Sequence, residues 1–183
     1  MTLDRRHFIL SAGALALGGC ANGVGGDGGA RIDARVDATR SYVLANIPGA
    51  RDLTDKAVGV LYMPLITEAS FGFGGAYGRG ALRIDNVTVD YYSAASASFG
   101  FQIGAQQYAH ALYFMTQEAL TSFRAAGGWA AGADLRYAVP SGGAAVGADT
   151  TTALAPVVAL VFGQSGLIAG ASLEGTKYTR IIP

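Results

Sequence analysis

Apolar residues recur at helical spacing near the start of the folded region and at alternate positions through its middle. Ile32, Val36, Val43 and Ile47 fall on one helical stripe, and Pro48-Gly49 predicts the end of that helix. The stripe is narrow, so a helix packed on the core is favoured over one that lies on lipid. A second, short helical turn is expected over residues 52–56.

The middle of the chain alternates with the two-residue period of a β-strand. Phe71, Phe73 and Tyr77 share one face of residues 70–78, and glycine or alanine occupies the other face. Pro64 is expected to close the first strand, and Asp85-Asn86 is typical of a hairpin turn. The expected strands in this region cover residues 58–63, 70–78, 81–84, 87–92, 94–106 and 109–115.

A helix and further strands are predicted after this region. Thr116 is a suitable N-cap, Glu118 lies in the first turn, Leu120 and Phe123 form the buried edge, and Gly127-Gly128 ends the helix. Strands are expected over residues 134–139, 157–162, 167–173 and 178–182. The pattern predicts an α+β fold, in which a bent antiparallel β-sheet or partial barrel is packed by an N-terminal helix and one further helix.

The motif Ser70-Phe71-Gly72-Phe73 recurs as Ser98-Phe99-Gly100-Phe101. The aromatic side chains of the two strands, with Tyr77, form either plain sheet core or the lining of a lipid pocket; the two-residue period favours core. A face of glycines lets another backbone approach closely or lets the strand bend sharply. The glycines of residues 72–80 match neither a dinucleotide fingerprint nor a Walker motif, which favours a structural role.

The amino-terminal segment is typical of an export signal. Arg5-Arg6 precedes a short apolar run, and Leu17-Gly18-Gly19-Cys20 resembles the bacterial lipobox, in which the cysteine receives a diacylglycerol. Arg5-Arg6-x-Phe8-Ile9 also resembles a twin-arginine signal, and general export stays open as the alternative. The expected organisation is a signal peptide over residues 1–19, a lipidated cysteine and Gly-rich spacer over 20–31, and one domain over 32–183. An ordinary signal with an incidental cysteine is the less favoured interpretation.

Charge and cysteine content exclude several classes of function. The chain has 13 basic and 13 acidic residues, so nothing suggests a nucleic-acid partner. Acylation of Cys20, the single cysteine, would leave no thiol for a disulfide, a metal site or a nucleophile. His110 has no nucleophile or carboxylate near it in sequence and is expected to be structural. No metal or other cofactor is expected.

Several motifs in order resemble the SYLF family, particularly its bacterial lipoprotein branch. They are Gly59-Val60-Leu61, residues 71–78, residues 91–100, Gly104-Ala105-Gln106, residues 115–120 and Leu173-Glu174-Gly175-Thr176-Lys177. The resemblance spans roughly residues 32–182. It implies a non-enzymatic domain that binds lipid; in eukaryotes the family is associated with phosphoinositides and actin. The transferable part is recognition of an acidic head group or an acyl surface.

Basic residues are the candidates for head-group recognition. Arg35, Arg40, Arg51 and Lys56 lie in or near the two N-terminal helices, and Lys177 lies in the last motif, where it could pair with Glu174. Pairing with Asp37, Asp52 and Asp55 is the competing interpretation for the first four.

The sequence therefore predicts a lipid-anchored protein of the cell envelope, at the outer membrane and facing the periplasm. Its expected partners are the membrane, through the anchor, and anionic phospholipid. The first alternative is a structural or protein-interaction lipoprotein without intrinsic lipid binding, whose protein partner the sequence does not identify. The least favoured alternative is an enzyme that acts on envelope lipids or glycans.

Overall fold

A hairpin of two very long strands forms the centre of the molecule. The computed structural model describes residues 26–132, 135–138, 155–166, 173 and 175–183. Within these ranges the chain forms three helices and six strands. They are α1 (Gly28–Asn46), α2 (Ala50–Lys56), β1 (Gly59–Ile84), β2 (Val87–Phe114), α3 (Gln117–Ala125), β3 (Trp129–Ala130), β4 (Leu135–Ala138), β5 (Val157–Gly166) and β6 (Lys177–Ile181).

The predicted turn at Asp85-Asn86 is confirmed. Both residues have positive φ, 48° and 66°, as a two-residue hairpin turn with right-handed strand twist requires. β1 pairs with β2 along its length, and β5 and β6 pair with different parts of β2. β3 extends the sheet beyond β6, and β4 joins β5 in a parallel pair within an otherwise antiparallel sheet.

Pro64 does not end a strand, so that prediction is wrong. Met63 pairs with His110 and Ile66 pairs with Tyr108, which leaves Pro64 and Leu65 opposite Ala109 alone. Two residues against one is a β-bulge, and a bulge accommodates proline because no ladder hydrogen bond is needed from it. The strand therefore bends at Pro64 and continues.

Close backbone contact lets β1 curl. A Cβ atom placed on Gly78 would overlap the Leu65 carbonyl oxygen, which belongs to the same strand. The expectation that the glycine face admits a second backbone is confirmed at this position. The result is the α+β half-barrel that the sequence predicts.

Two apolar cores lie on opposite faces of the sheet. The outer core lies under α1 and α2 and includes the predicted stripe Ile32, Val36, Val43 and Ile47, so the core-packed interpretation of α1 is confirmed. The inner core lies inside the curl and includes Leu120 and Phe123 of α3. The Thr116 hydroxyl accepts a hydrogen bond from the Ala119 amide at 3.2 Å, which confirms the predicted N-cap.

Candidate functional site

The middle of the hairpin, residues 65–79 of β1 and 93–107 of β2, presents aromatic side chains to solvent. Phe71 is 78% exposed, Phe73 is 77% exposed and Tyr77 is 55% exposed. Ala76 and Gly78, on the opposite face of β1, are buried. The prediction that these three aromatic residues belong to the core is therefore wrong.

The physical reason is the close approach of the two halves of β1. Only small residues fit where one part of the strand lies against another, so the glycine and alanine face turns inward. The aromatic face then points outward. The two-residue period correctly separates the two faces but carries no information about which of them is buried.

This outward surface, called the outer aromatic face below, carries no charge at its described positions. Its exposed residues on β1 are Leu65, Thr67, Ala69, Phe71, Phe73, Gly75 and Tyr77; those on β2 are Ala95, Ala97, Ala105 and Gln107. Arg79 is the first charged side chain met along this face of β1 after Tyr77. Contiguous exposed apolar surface of this kind marks contact with a membrane or with another protein.

The outer aromatic face continues into a groove beside α1. A cavity of about 330 Å³ lies between α1 and the strands, and its lining includes Tyr42, Leu65, Ala109 and Phe162. The Tyr42 ring is 51% exposed and stacks on Phe162 with ring centroids 6.3 Å apart. Apolar surface therefore runs from the hairpin to the edge of the helix.

A second, polar cavity of about 230 Å³ lies where α1, α2 and the hairpin turn meet. Arg40 and Thr54 of the helices, Tyr62 and Arg83 of β1, and Asp85 of the turn contribute to its lining. The Arg83 side chain is only 14% exposed, and its Nη2 atom lies 2.7 Å from the Asp37 carboxylate and 3.5 Å from that of Asp33.

Asp33 joins α1 to the hairpin through several bonds. Its carboxylate accepts hydrogen bonds from the Thr88 hydroxyl at 2.7 Å and from the Tyr91 hydroxyl at 2.8 Å, besides the contact with Arg83. Asp33 and Asp37, two acidic residues of α1, thus attach the helix to the hairpin. Arg83 was missed by the sequence reasoning, since its partners lie about fifty residues away.

The predicted basic residues have different surroundings. Arg35 and Arg51 are exposed, and Lys56 pairs with Asp52 at 2.7 Å, which fits the competing interpretation for that residue. Arg40 is half-buried and lines the polar cavity. Lys177 is exposed on β6, where it pairs in register with Ala130 of β3.

His110 is fully buried in the sheet, and burial lowers its pKa to about 3. Its Nε2 atom lies 2.8 Å from the Tyr178 hydroxyl, and its Nδ1 atom has no hydrogen-bond partner in the described part of the chain. The neutral imidazole therefore packs between strands, as a structural histidine does.

In the described ranges, no three His, Cys, Asp or Glu side chains are grouped so that they could hold a metal ion. None of the helices described here is long and apolar enough to cross a membrane. Three sequence predictions lie outside the described residues: those for Cys20, for Glu174 and for nearly all of the strand over 167–173. The structure describes the backbone of residues 98–101, where the motif recurs, but not their side chains.

Comparison with protein families gives a match in the second half of the chain. Residues 95–180 match the family model described as "Ysc84: Las17-binding protein actin regulator". The matched segment begins in β2 and ends in β6, so it contains most of β2, α3, β3, β4, β5 and most of β6. No curated protein matches the chain.

Proposed function

We propose that this chain is a non-enzymatic protein that contacts phospholipid membranes through the outer aromatic face. The match of residues 95–180 to the Ysc84 model, which describes the SYLF domain, supports the proposal, because SYLF domains are of a lipid-binding type. The observation that carries the proposal is the exposure of Phe71, Phe73 and Tyr77 on a surface without charge at its described positions. The Tyr77 side chain suits the boundary between head groups and acyl chains, because its ring is apolar and its hydroxyl is polar. The Phe71 and Phe73 side chains suit the acyl side of that boundary.

Energetics support this use of the face. Burial of an exposed Phe side chain in an apolar environment contributes about 1.5–3 kcal/mol. Two such residues and the Tyr77 ring would supply several kcal/mol, which is the scale needed for reversible membrane association. The neighbouring groove beside Tyr42 and Leu65 gives an acyl chain a place to lie.

The proposal includes the lipid anchor at Cys20, and with it a location in the cell envelope at the outer membrane, facing the periplasm. Eight residue-to-residue steps separate Cys20 from Gly28, the first residue of α1, and a fully extended chain of that length reaches about 28 Å. Gly29 lies against the Tyr91 hydroxyl, and Tyr91 pairs with Ala81 of β1. Tyr77 lies four residues further along β1, about 13 Å away at strand spacing. A tether at Cys20 is therefore long enough to keep the outer aromatic face at the bilayer.

The absence of catalysis is also part of the proposal. The buried, neutral His110 has Tyr178 as its partner and faces no described carboxylate, which leaves it unsuited to proton transfer at a substrate.

Flotation on vesicles tests the proposal. The chain from Ala21 to Pro183, which has no anchor, is mixed with vesicles of phosphatidylethanolamine and phosphatidylglycerol, at low and at high salt. We expect it to float with the vesicles at both salt concentrations, because the contact is mainly apolar. The double variant Phe71→Ser, Phe73→Ser is expected to stay at the bottom of the gradient.

The matched control replaces equally exposed apolar residues elsewhere. Val87 is 62% exposed and Ile182 is 78% exposed, so Val87→Ser, Ile182→Ser removes similar surface outside the outer aromatic face. This control is expected to float like the unmodified chain. If the unmodified chain does not float, intrinsic lipid binding is ruled out, and a protein partner becomes the better explanation of the face.

A further inference from the structure

The polar cavity beside α2 combines hydrogen-bond donors from two elements, α1 and β1. Arg40 comes from α1, and Tyr62 and Arg83 come from distant parts of β1. Curling of β1 brings the last two into one cavity, although they lie far apart in the sequence. Arg40 and Arg83 are permanently charged donors, because a guanidinium does not lose its proton in proteins.

Two of these donors are buried without a partner. The Tyr62 hydroxyl makes no hydrogen bond to any described residue, although Tyr62 is only 1% exposed. The Nε atom of Arg83 is also buried and unbonded, while its Nη1 atom donates to the Asn86 carbonyl oxygen at 2.9 Å. Unsatisfied buried donors are costly in a folded protein, and an acceptor that enters the cavity would satisfy them.

The Tyr62 hydroxyl is a donor at neutral pH. Burial raises the pKa of Tyr62, and the neighbouring Thr54 and Arg40 side chains offset only part of that rise. The Thr54 hydroxyl donates its own proton to the Ala50 carbonyl oxygen at 2.7 Å, and the Tyr62 hydroxyl makes no hydrogen bond to the described residues. The Tyr62 hydroxyl therefore keeps its proton and can donate it to a ligand.

We propose that this cavity binds a phosphate group, with Arg40, Tyr62 and Arg83 as its donors. Guanidinium groups suit phosphate oxygens because their donors lie in a planar fork. Asp55 and Asp85 also line the cavity, and Arg83 already pairs with Asp33 and Asp37. Because these carboxylates leave no excess of positive charge, the cavity favours a singly charged phosphodiester, as in a phospholipid head group, over the more highly charged inorganic phosphate.

The inference does not depend on membrane contact by the outer aromatic face, because the cavity uses other residues. Its test therefore uses soluble probes: glycerophosphoethanolamine, glycerophosphoglycerol and inorganic phosphate. Each is titrated by calorimetry into the full chain carrying Cys20→Ser, which keeps the protein free of acyl chains. We expect the diesters to bind, and Arg40→Gln and Tyr62→Phe each to weaken that binding about tenfold.

Matched controls separate the cavity from general effects. Arg35→Gln removes an exposed cation of α1 outside the cavity, and Tyr92→Phe removes another buried hydroxyl without a described partner, in the inner core. Both controls are expected to bind the diesters like the parent. Tyr62→Phe is expected to unfold at no lower temperature than the parent, because its hydroxyl makes no bond to the described residues.

Each outcome decides the inference. Inorganic phosphate could instead bind more tightly than the diesters, with affinity again lost in Arg40→Gln and Tyr62→Phe. That result would support the phosphate site and identify free phosphate as its ligand. Absence of binding by all three probes would overturn the inference. Equal losses in the cavity variants and in their controls would overturn it as well.

Discussion

Gly80 lies directly against the carbonyl oxygen of Tyr62, so that a Cβ atom at position 80 would overlap that oxygen. Both residues belong to β1, and Tyr62 lies in its first part while Gly80 lies near its end. The contact exists because bulges bend the strand and turn its glycine face inward. The same inward turn exposes Phe71 and Phe73, so the curl of β1 and the outer aromatic face have one structural cause.

Replacement of Gly80 by alanine is expected to destabilise the fold strongly. The added methyl group would meet the backbone oxygen of Tyr62, which cannot move without shifting the strand. We expect a loss of at least about 2 kcal/mol in the free energy of unfolding, measured by urea denaturation. Gly75→Ala is the control in the same strand, because its Cβ would lie 3.4 Å from the nearest atom, the Ser96 carbonyl oxygen. Equal stability of the two variants would refute the curled strand.

Asp33 is expected to matter more than Asp37 for the attachment of α1. Asp33→Ala leaves the Thr88 and Tyr91 hydroxyls without their acceptor, whereas Asp37→Ala removes one contact with Arg83 at an exposed position. We expect Asp33→Ala to cost about 1–3 kcal/mol and Asp37→Ala less than about 1 kcal/mol. Thermal unfolding of the two variants measures the difference, and the reverse order would contradict these bonding roles.

Stability is expected to fall in acid through His110. Its pKa is about 3 in the folded protein and 6.5 in the unfolded chain, so between these values the unfolded chain binds the extra proton. The free energy of unfolding should therefore decrease by about 1.4 kcal/mol per pH unit as the pH falls through this window. Above pH 6.5 this contribution is fully present.

A histidine variant isolates that contribution from the carboxylates. His110→Gln keeps a polar group opposite the Tyr178 hydroxyl but cannot be protonated in this range. Urea denaturation of parent and variant at several pH values should show that the parent loses more stability in acid. If the free energies of unfolding of parent and variant change in parallel with pH, His110 has the same pKa in the folded and the unfolded protein, which would contradict this prediction.

The sequence predicts local structure well where the signal is local. The stripe of α1, the Thr116 cap and the Asp85-Asn86 turn each depend on residues that are neighbours in the chain. The prediction that Pro64 ends the first strand fails because Pro64 lies in a bulge, where its missing amide donor is not needed. The bulge depends on the register between β1 and β2, which is not a local signal.

The sites depend on long-range geometry and are harder to predict. Alternation assigns Phe71 and Phe73 to one face, yet their exposure follows from the contact between distant parts of β1. Arg40 is a sequence candidate for phosphate, but Arg83 and Tyr62 join it only after β1 has curled. No spacing in the sequence indicates that these three side chains line one cavity.

The most direct test of the membrane proposal places a fluorescent reporter on the outer aromatic face. Phe73→Trp in the chain from Ala21 to Pro183 adds an indole at an exposed site, and the unmodified chain supplies the background from Trp129, its single tryptophan. With phosphatidylethanolamine and phosphatidylglycerol vesicles, we predict a blue shift of the added emission and quenching by brominated acyl chains. If the protein binds the vesicles but the added indole still emits at the wavelength of a water-exposed tryptophan, the account is contradicted.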